Sequence, residues 1–167
     1  IRREFHDNDR PTTDFLGGGE NIRSKDYMAL SQIPEQFLSA LVLDGVMQRF
    51  PGLRGGCIEL GAMWVPAFLK RLDLAQRVFS KTEPTVQELD DRASDHIRGR
   101  VWFTPFVGED VGFLMDSAGD DLFLFSSDYP HPEGGRNPIA RFEETMPDAS
   151  AASLDRFYET NFVTMMG

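Results

Sequence analysis

The segment Ser126-Ser127-Asp128-Tyr129-Pro130-His131-Pro132-Glu133 carries the strongest chemical signal in this sequence, and it follows the apolar run Leu122-Phe123-Leu124-Phe125. A carboxylate just after such a run, at the rim of a sheet, can bind a divalent metal or act as a general base toward a metal-bound water. Tyr129-Pro130-His131-Pro132 is stiff, so it could hold the loop and aim His131 at a substrate. The same spacing fits a plainer role, with Asp128 capping a short turn and His131 solvated. Glu59 closes a second apolar run, between Ile58 and Leu60. Buried without a partner it would cost several kcal/mol, so it is expected to meet a metal, another cation, a hydrogen-bond donor or water.

The remaining candidates are weaker. His6, among Glu4, Asp7 and Asp9, could face a site from a loop, whereas His96 lies in a polar stretch and is expected on the surface. Trp64 and Trp102 sit among apolar neighbours, where core packing is the usual role of an indole. Trp64 is nevertheless kept as a candidate substrate contact. The chain contains no His-X-His, Cys-X-X-Cys or His-Glu-X-X-His, so no complete metal site is legible. Gly17-Gly18-Gly19 follows no strand and lacks phosphate-loop spacing, which leaves it as a flexible loop.

Alternating helices and strands must position these groups. Residues 1–32 show no periodicity. Phe37, Leu38, Leu41, Val42, Val46 and Met47 recur at helical spacing and predict a helix over 34–50, ended by Pro51-Gly52. Gly55 to Leu60 reads as a strand, and a helix is expected over about 63–80 with Pro66 near its start. A polar stretch over 81–100 holds a short helix after Pro84. The second strand is Val101-Trp102-Phe103-Thr104. Glu109 and Asp110 then suit the first turn of a helix that Gly119 ends. Leu122 to Phe125 is apolar on both faces, as a parallel strand covered by helices should be. Helices over 138–146 and 153–166 follow.

This order calls for parallel strands joined by crossover helices. Three strands cannot close a barrel of eight, and alone they leave two unpaired sheet edges. The expected fold class is therefore α/β, the C-terminal portion of a (β/α)8 TIM barrel of about three strand-helix units.

Composition excludes several functions. The 167 residues suit one domain, and 41% hydrophobic with 26% charged residues is a folded composition. The longest apolar run, around Phe37 to Leu43, falls far short of the roughly 18 residues a membrane helix needs. A net charge of −10 with no basic stripe argues against nucleic acid as a partner. The single cysteine, Cys57, excludes an internal disulfide and fits a reducing, cytoplasmic compartment. The chain opens on Ile1 with no signal-like stretch. Residues 1–167 are accordingly read as one partial barrel domain whose N-terminal half is absent.

Ser127-Asp128-Tyr129-Pro130-His131-Pro132, coming off its apolar strand, resembles the amidohydrolase superfamily, and more narrowly the branch related to aminocarboxymuconate-semialdehyde decarboxylase. Arg49-Phe50-Pro51-Gly52-Leu53-Arg54, continuing through Glu59-Leu60-Gly61 to Pro66, is similar to the family's sixth strand and its loop. Asp155-Arg156-Phe157-Tyr158 through Asn161-Phe162 is similar to its closing helix. The resemblance runs from about residue 14 onward. It implies a barrel with one divalent metal, often zinc, at the C-terminal rim, and hydrolysis or decarboxylation of small organic acids or related carbonyl compounds. Asp128 matches the eighth-strand aspartate, a metal ligand or proton-transfer residue, and His131 lies in the same loop. Glu59 stands where many relatives carry the sixth-strand histidine. The family's His-X-His has no counterpart here.

Asp128 and Glu59 alone do not complete a metal site. The resemblance therefore makes the parent protein a metal-dependent enzyme and this chain by itself an inactive part of one. Two other readings stay open. The chain could be a non-catalytic partner completing a barrel with another polypeptide, or a decayed enzyme that keeps the fold. The partners expected are a small-molecule substrate and either a homo-oligomer or the missing barrel half, with no nucleic acid and no membrane.

Overall fold

A computed structural model describes residues 24–130 and 134–167 of the chain. Helix α1 spans Ser24–Ala29 and α2 spans Gln32–Leu43, where Pro34, Leu38 and Val42 repeat every fourth residue and bury one stripe. The predicted long helix breaks at Gly45, whose φ of 69° lies in the left-handed region, and a single turn, α3 (Val46–Arg49), follows. Strand β1 is Gly55–Cys57 and β2 is Val101–Phe103. Between them run α4 (Val65–Phe79), α5 (Pro84–Gln87) and a 3-10 turn over Ala93–His96. Pro66 sits in the first turn of α4, where its missing N–H costs nothing.

The two strands pair in parallel, with Gly56 opposite Trp102 and Cys57 opposite Phe103. The third expected strand joins on the far side of β2 through one parallel bridge, Phe103 to Phe123. Its ladder is short but regular. Phe103 N–H donates to Leu122 O, and Leu124 N–H donates to Phe103 O, both at 2.9 Å. The spatial order of the three segments follows the chain order, as in consecutive units of a parallel barrel.

Helix α6 (Val111–Ala118) starts on Asp110, whose Oδ1 accepts from Phe113 N–H at 2.9 Å, and ends at Gly119. The chain closes with α7 (Pro138–Glu144), α8 (Ala151–Asp155), a π turn over Arg156–Thr160, and α9 (Asn161–Met166). Asn161 is buried, and its amide donates to Asp120 O at 2.8 Å and Phe123 O at 2.9 Å. The closing helix thus satisfies carbonyls on the outer side of the third strand.

Core packing centres on Phe103, which meets Trp64 edge-on at 5.4 Å, while Phe142, Phe157 and Phe125 form a second aromatic cluster. His96 corrects a sequence expectation, because it is buried and not on the surface. Its Nδ1 lies 3.0 Å from Arg100 Nη2. Burial and then the neighbouring guanidinium push its pKa down, which disfavours the charged ring. Among the described residues no helix is long and apolar enough to cross a membrane.

Helix α6 packs without room for a methyl group at Gly112, where an added Cβ would lie 2.3 Å from Thr145 O. Gly112→Ala is therefore expected to destabilise the chain by about 2 kcal/mol through overpacking. Thermal unfolding would check this, and an unchanged melting temperature would mean that α6 can shift freely.

Candidate functional site

The two carboxylates singled out by sequence each lie just past the carboxyl end of a parallel segment. Strand β1 stops at Cys57, two residues short of Glu59, so Ile58 and Glu59 are exposed. The expected burial cost of Glu59 does not arise, since its side chain keeps its water. Its backbone N–H donates to the buried Thr104 Oγ1 at 3.0 Å, which ties the end of β1 to the end of β2. Asp128 is half-buried, four residues beyond the ladder at Leu124. Its N–H donates to Ser126 Oγ at 3.4 Å.

Glu59 and Asp128 share an uncommon backbone geometry. Their φ angles are 60° and 56°, and among the described residues they are the two non-glycine residues with positive φ. An L-residue pays about 1 kcal/mol to sit there, so the surroundings must impose it. Asp128 is closely packed. Gly134 lies against it so tightly that an added Cβ would stand 2.4 Å from Ser127 O and 2.9 Å from Asp128 Cβ. Only glycine at 134 leaves that space.

Sequence reasoning missed the group that organises the rim. Glu109 does not lie in the first turn of α6; it precedes the cap residue Asp110. Its carboxylate accepts N–H bonds from Ala62 at 2.8 Å, Phe106 at 3.0 Å and Met63 at 3.3 Å. It therefore laces the loop after β1 to the loop after β2. Burial raises its pKa, and the backbone donors offset only part of that rise. Gly61 is the complement to this knot, with φ of 63° and no space for a Cβ beside Glu109 Oε1 and the Phe106 ring. A Glu near a strand end with a glycine in the facing loop was the available signal.

Trp64 turns inward. Its indole N–H is shared between Gly61 O at 2.9 Å and Leu60 O at 3.2 Å, and its ring packs on Phe68 and Phe103. The sole indole donor is thus spent within the chain, which makes Trp64 a brace of the loop. His131 and His6 lie outside the described residues. Among the described residues no three of His, Cys, Asp and Glu come together in a way that could hold a metal ion. Glu59 and Asp128 with the other described residues therefore do not fit a metal site by themselves.

Parallel strands in consecutive order, crossover helices between them, and acidic residues at their carboxyl ends define part of a (β/α) barrel. The particular likeness is to an amidohydrolase from Mycobacterium avium subsp. paratuberculosis K-10, whose crystal structure superposes with a TM-score of 0.72 at 25% identity. The match covers 91% of this chain and 38% of that one, so this chain spans well under half the length of the protein it is similar to. That likeness supports the amidohydrolase superfamily. No protein-family model matches the chain, and no curated protein does.

Proposed function

We propose that this chain is the C-terminal part of an amidohydrolase-type enzyme that hydrolyses or decarboxylates a small organic acid or related carbonyl compound. The observation carrying this reading is the likeness to the mycobacterial amidohydrolase over 91% of the chain. Asp128 is the proton-transfer group. Half-buried just past a strand end and packed against Gly134, it can take a proton from an attacking water or return one to a leaving group. Glu59, exposed at the end of β1, orients the polar end of the substrate. The branch related to aminocarboxymuconate-semialdehyde decarboxylase is the finer assignment we favour, on the Asp128 segment.

A divalent metal, zinc by preference, would need its remaining ligands from outside the described residues. His131 and His6 are expected to contact substrate, and proton transfer by Asp128 does not itself require the ion. Cys57 is buried, and its thiol is pushed up to about 11 by that burial. It is therefore inert, and a cytoplasmic location suits a protein with this single protected thiol.

The test is a chimera in which this chain replaces the matched 38% of the mycobacterial amidohydrolase. Asp128→Asn in that chimera is expected to lower kcat about a hundredfold, with circular dichroism unchanged. A folded Asp128→Asn chimera that keeps its rate would remove Asp128 from the chemistry and the reading with it.

A further inference from the structure

We propose that Arg141 is a specificity-determining residue of the rim, whose guanidinium takes the carboxylate of a small organic acid. This rests on the enzyme reading above and narrows its substrate to compounds that carry an ionised carboxyl group.

Two loops build the guanidinium into the rim. Arg141 lies on α7, yet a Cβ added at Gly108 would stand 3.3 Å from its Nη2, and one added at Gly135 would stand 3.1 Å from its Nη1. Gly108 belongs to the loop after β2, directly before Glu109, and Gly135 follows the Gly134 that packs on Asp128. Their φ angles are 125° and 72°, values that favour glycine. Each terminal nitrogen of the fork therefore faces bare backbone from a different loop. The base of the side chain is fixed as well. Beside it Phe142 is fully buried, its ring edge-on to Phe125 at 5.8 Å and to Phe157 at 5.4 Å. Phe125 directly precedes the Ser126–Asp128 stretch, so α7 is tied to the segment that leads to Asp128. Arg141 itself stays exposed and can be reached by a solute.

Electrostatics points the same way. Glu59, Asp110 and Asp128 all follow the carboxyl ends of the parallel segments, in a chain of net charge −10. Such a rim repels an organic anion unless a cation stands among the carboxylates. The neighbouring helix end gives no relief. In α6, Val111 N–H donates to Thr145 Oγ1 at 3.2 Å, Gly112 N–H to Thr145 O at 3.2 Å and Phe113 N–H to Asp110 Oδ1 at 2.9 Å. The first three donors of that helix are spent, so its N-terminus does not serve an anion. A carboxylate arriving between the Gly108 and Gly135 loops is met by a side chain instead. A planar fork with parallel N–H groups matches its two oxygens, where a lysine would supply only a point charge.

The test titrates the isotope-labelled 167-residue chain with benzoate, and in parallel with benzamide, which has nearly the same shape without the charge. Ionic strength is held constant with chloride. The Gly108 and Gly135 amide resonances are expected to move with benzoate, with a Kd of about 10 mM or below, and to stay still with benzamide. Arg141→Gln is expected to weaken benzoate binding about tenfold or more. Arg141→Lys keeps the charge and loses the fork, and should weaken it about fivefold. Because the side chain is exposed, both variants should keep the wild-type spectrum away from the two loops. Asp128→Asn removes a carboxylate and should not weaken binding. Binding is read without turnover, so carboxylate capture and the enzyme reading fail independently. Four results overturn the inference: no movement of either glycine up to about 100 mM benzoate, equal movement with benzamide, a benzoate Kd that ignores Arg141→Gln, or Arg141→Lys binding as tightly as wild type.

Discussion

Cutting Phe103 back to alanine is expected to lower the unfolding free energy by about 4 kcal/mol. Phe103 is fully buried in the middle segment of the three and contacts both neighbours. It pairs with Cys57 on one side and bridges Phe123 on the other, while its ring meets Trp64 edge-on at 5.4 Å. The strands around it are only three residues long and cannot close over a cavity of that size. Truncation therefore removes the transfer free energy of a benzyl group and leaves a void whose walls cannot collapse. Urea unfolding followed by circular dichroism would measure the loss. Phe113→Ala is the control: that ring is half exposed on α6, and its loss is expected to stay within about 0.5 kcal/mol. If the two variants unfold alike, the sheet is not the centre of the core.

The apolar runs at Gly55, Val101 and Leu122 were legible because strands covered on both faces need continuous apolar sequence. Their lengths were not. Where each ladder stops depends on which backbone groups find partners, and that is a property of the neighbouring strand. The strand expected over Gly55 to Leu60 ends at Cys57 because Thr104 offers its hydroxyl, and not a backbone carbonyl, to Glu59 N–H. The helix expected over 34–50 breaks at Gly45, where local glycine flexibility outweighs a continuing apolar stripe. His96 was misplaced for a related reason, since a polar local sequence hides a ring that packs beside Arg100. At the candidate site, residue type and position after an apolar run were enough to pick Asp128 and Glu59. The left-handed backbone they share leaves no mark in the local pattern.

Glu109 was invisible as an organising residue because its partners are main-chain N–H groups, which every sequence contains. Glu109→Ala is expected to cost about 3 kcal/mol, since it leaves the part-buried N–H groups of Ala62 and Phe106 without an acceptor. Glu109→Gln keeps one oxygen acceptor and should cost roughly half as much. The two substitutions also separate charge from shape. Burial raises the pKa of Glu109 above its ordinary 4.5, so the folded state holds this proton more tightly than the unfolded chain does. The stability this confers is fully present below pH 4.5 and is lost as pH rises through the raised value. Glu109→Gln has no such proton to lose. Wild type should therefore compare better with Glu109→Gln at pH 4 than at pH 7 in matched urea titrations. A difference of the opposite sign would mean that the three backbone donors outweigh burial and that the loops are laced by a fully favoured carboxylate. In either case, loosening the Gly61–Met63 loop frees Glu59 from the end of β2, so the exchange rate of the Glu59 amide should rise with the stability loss in both variants.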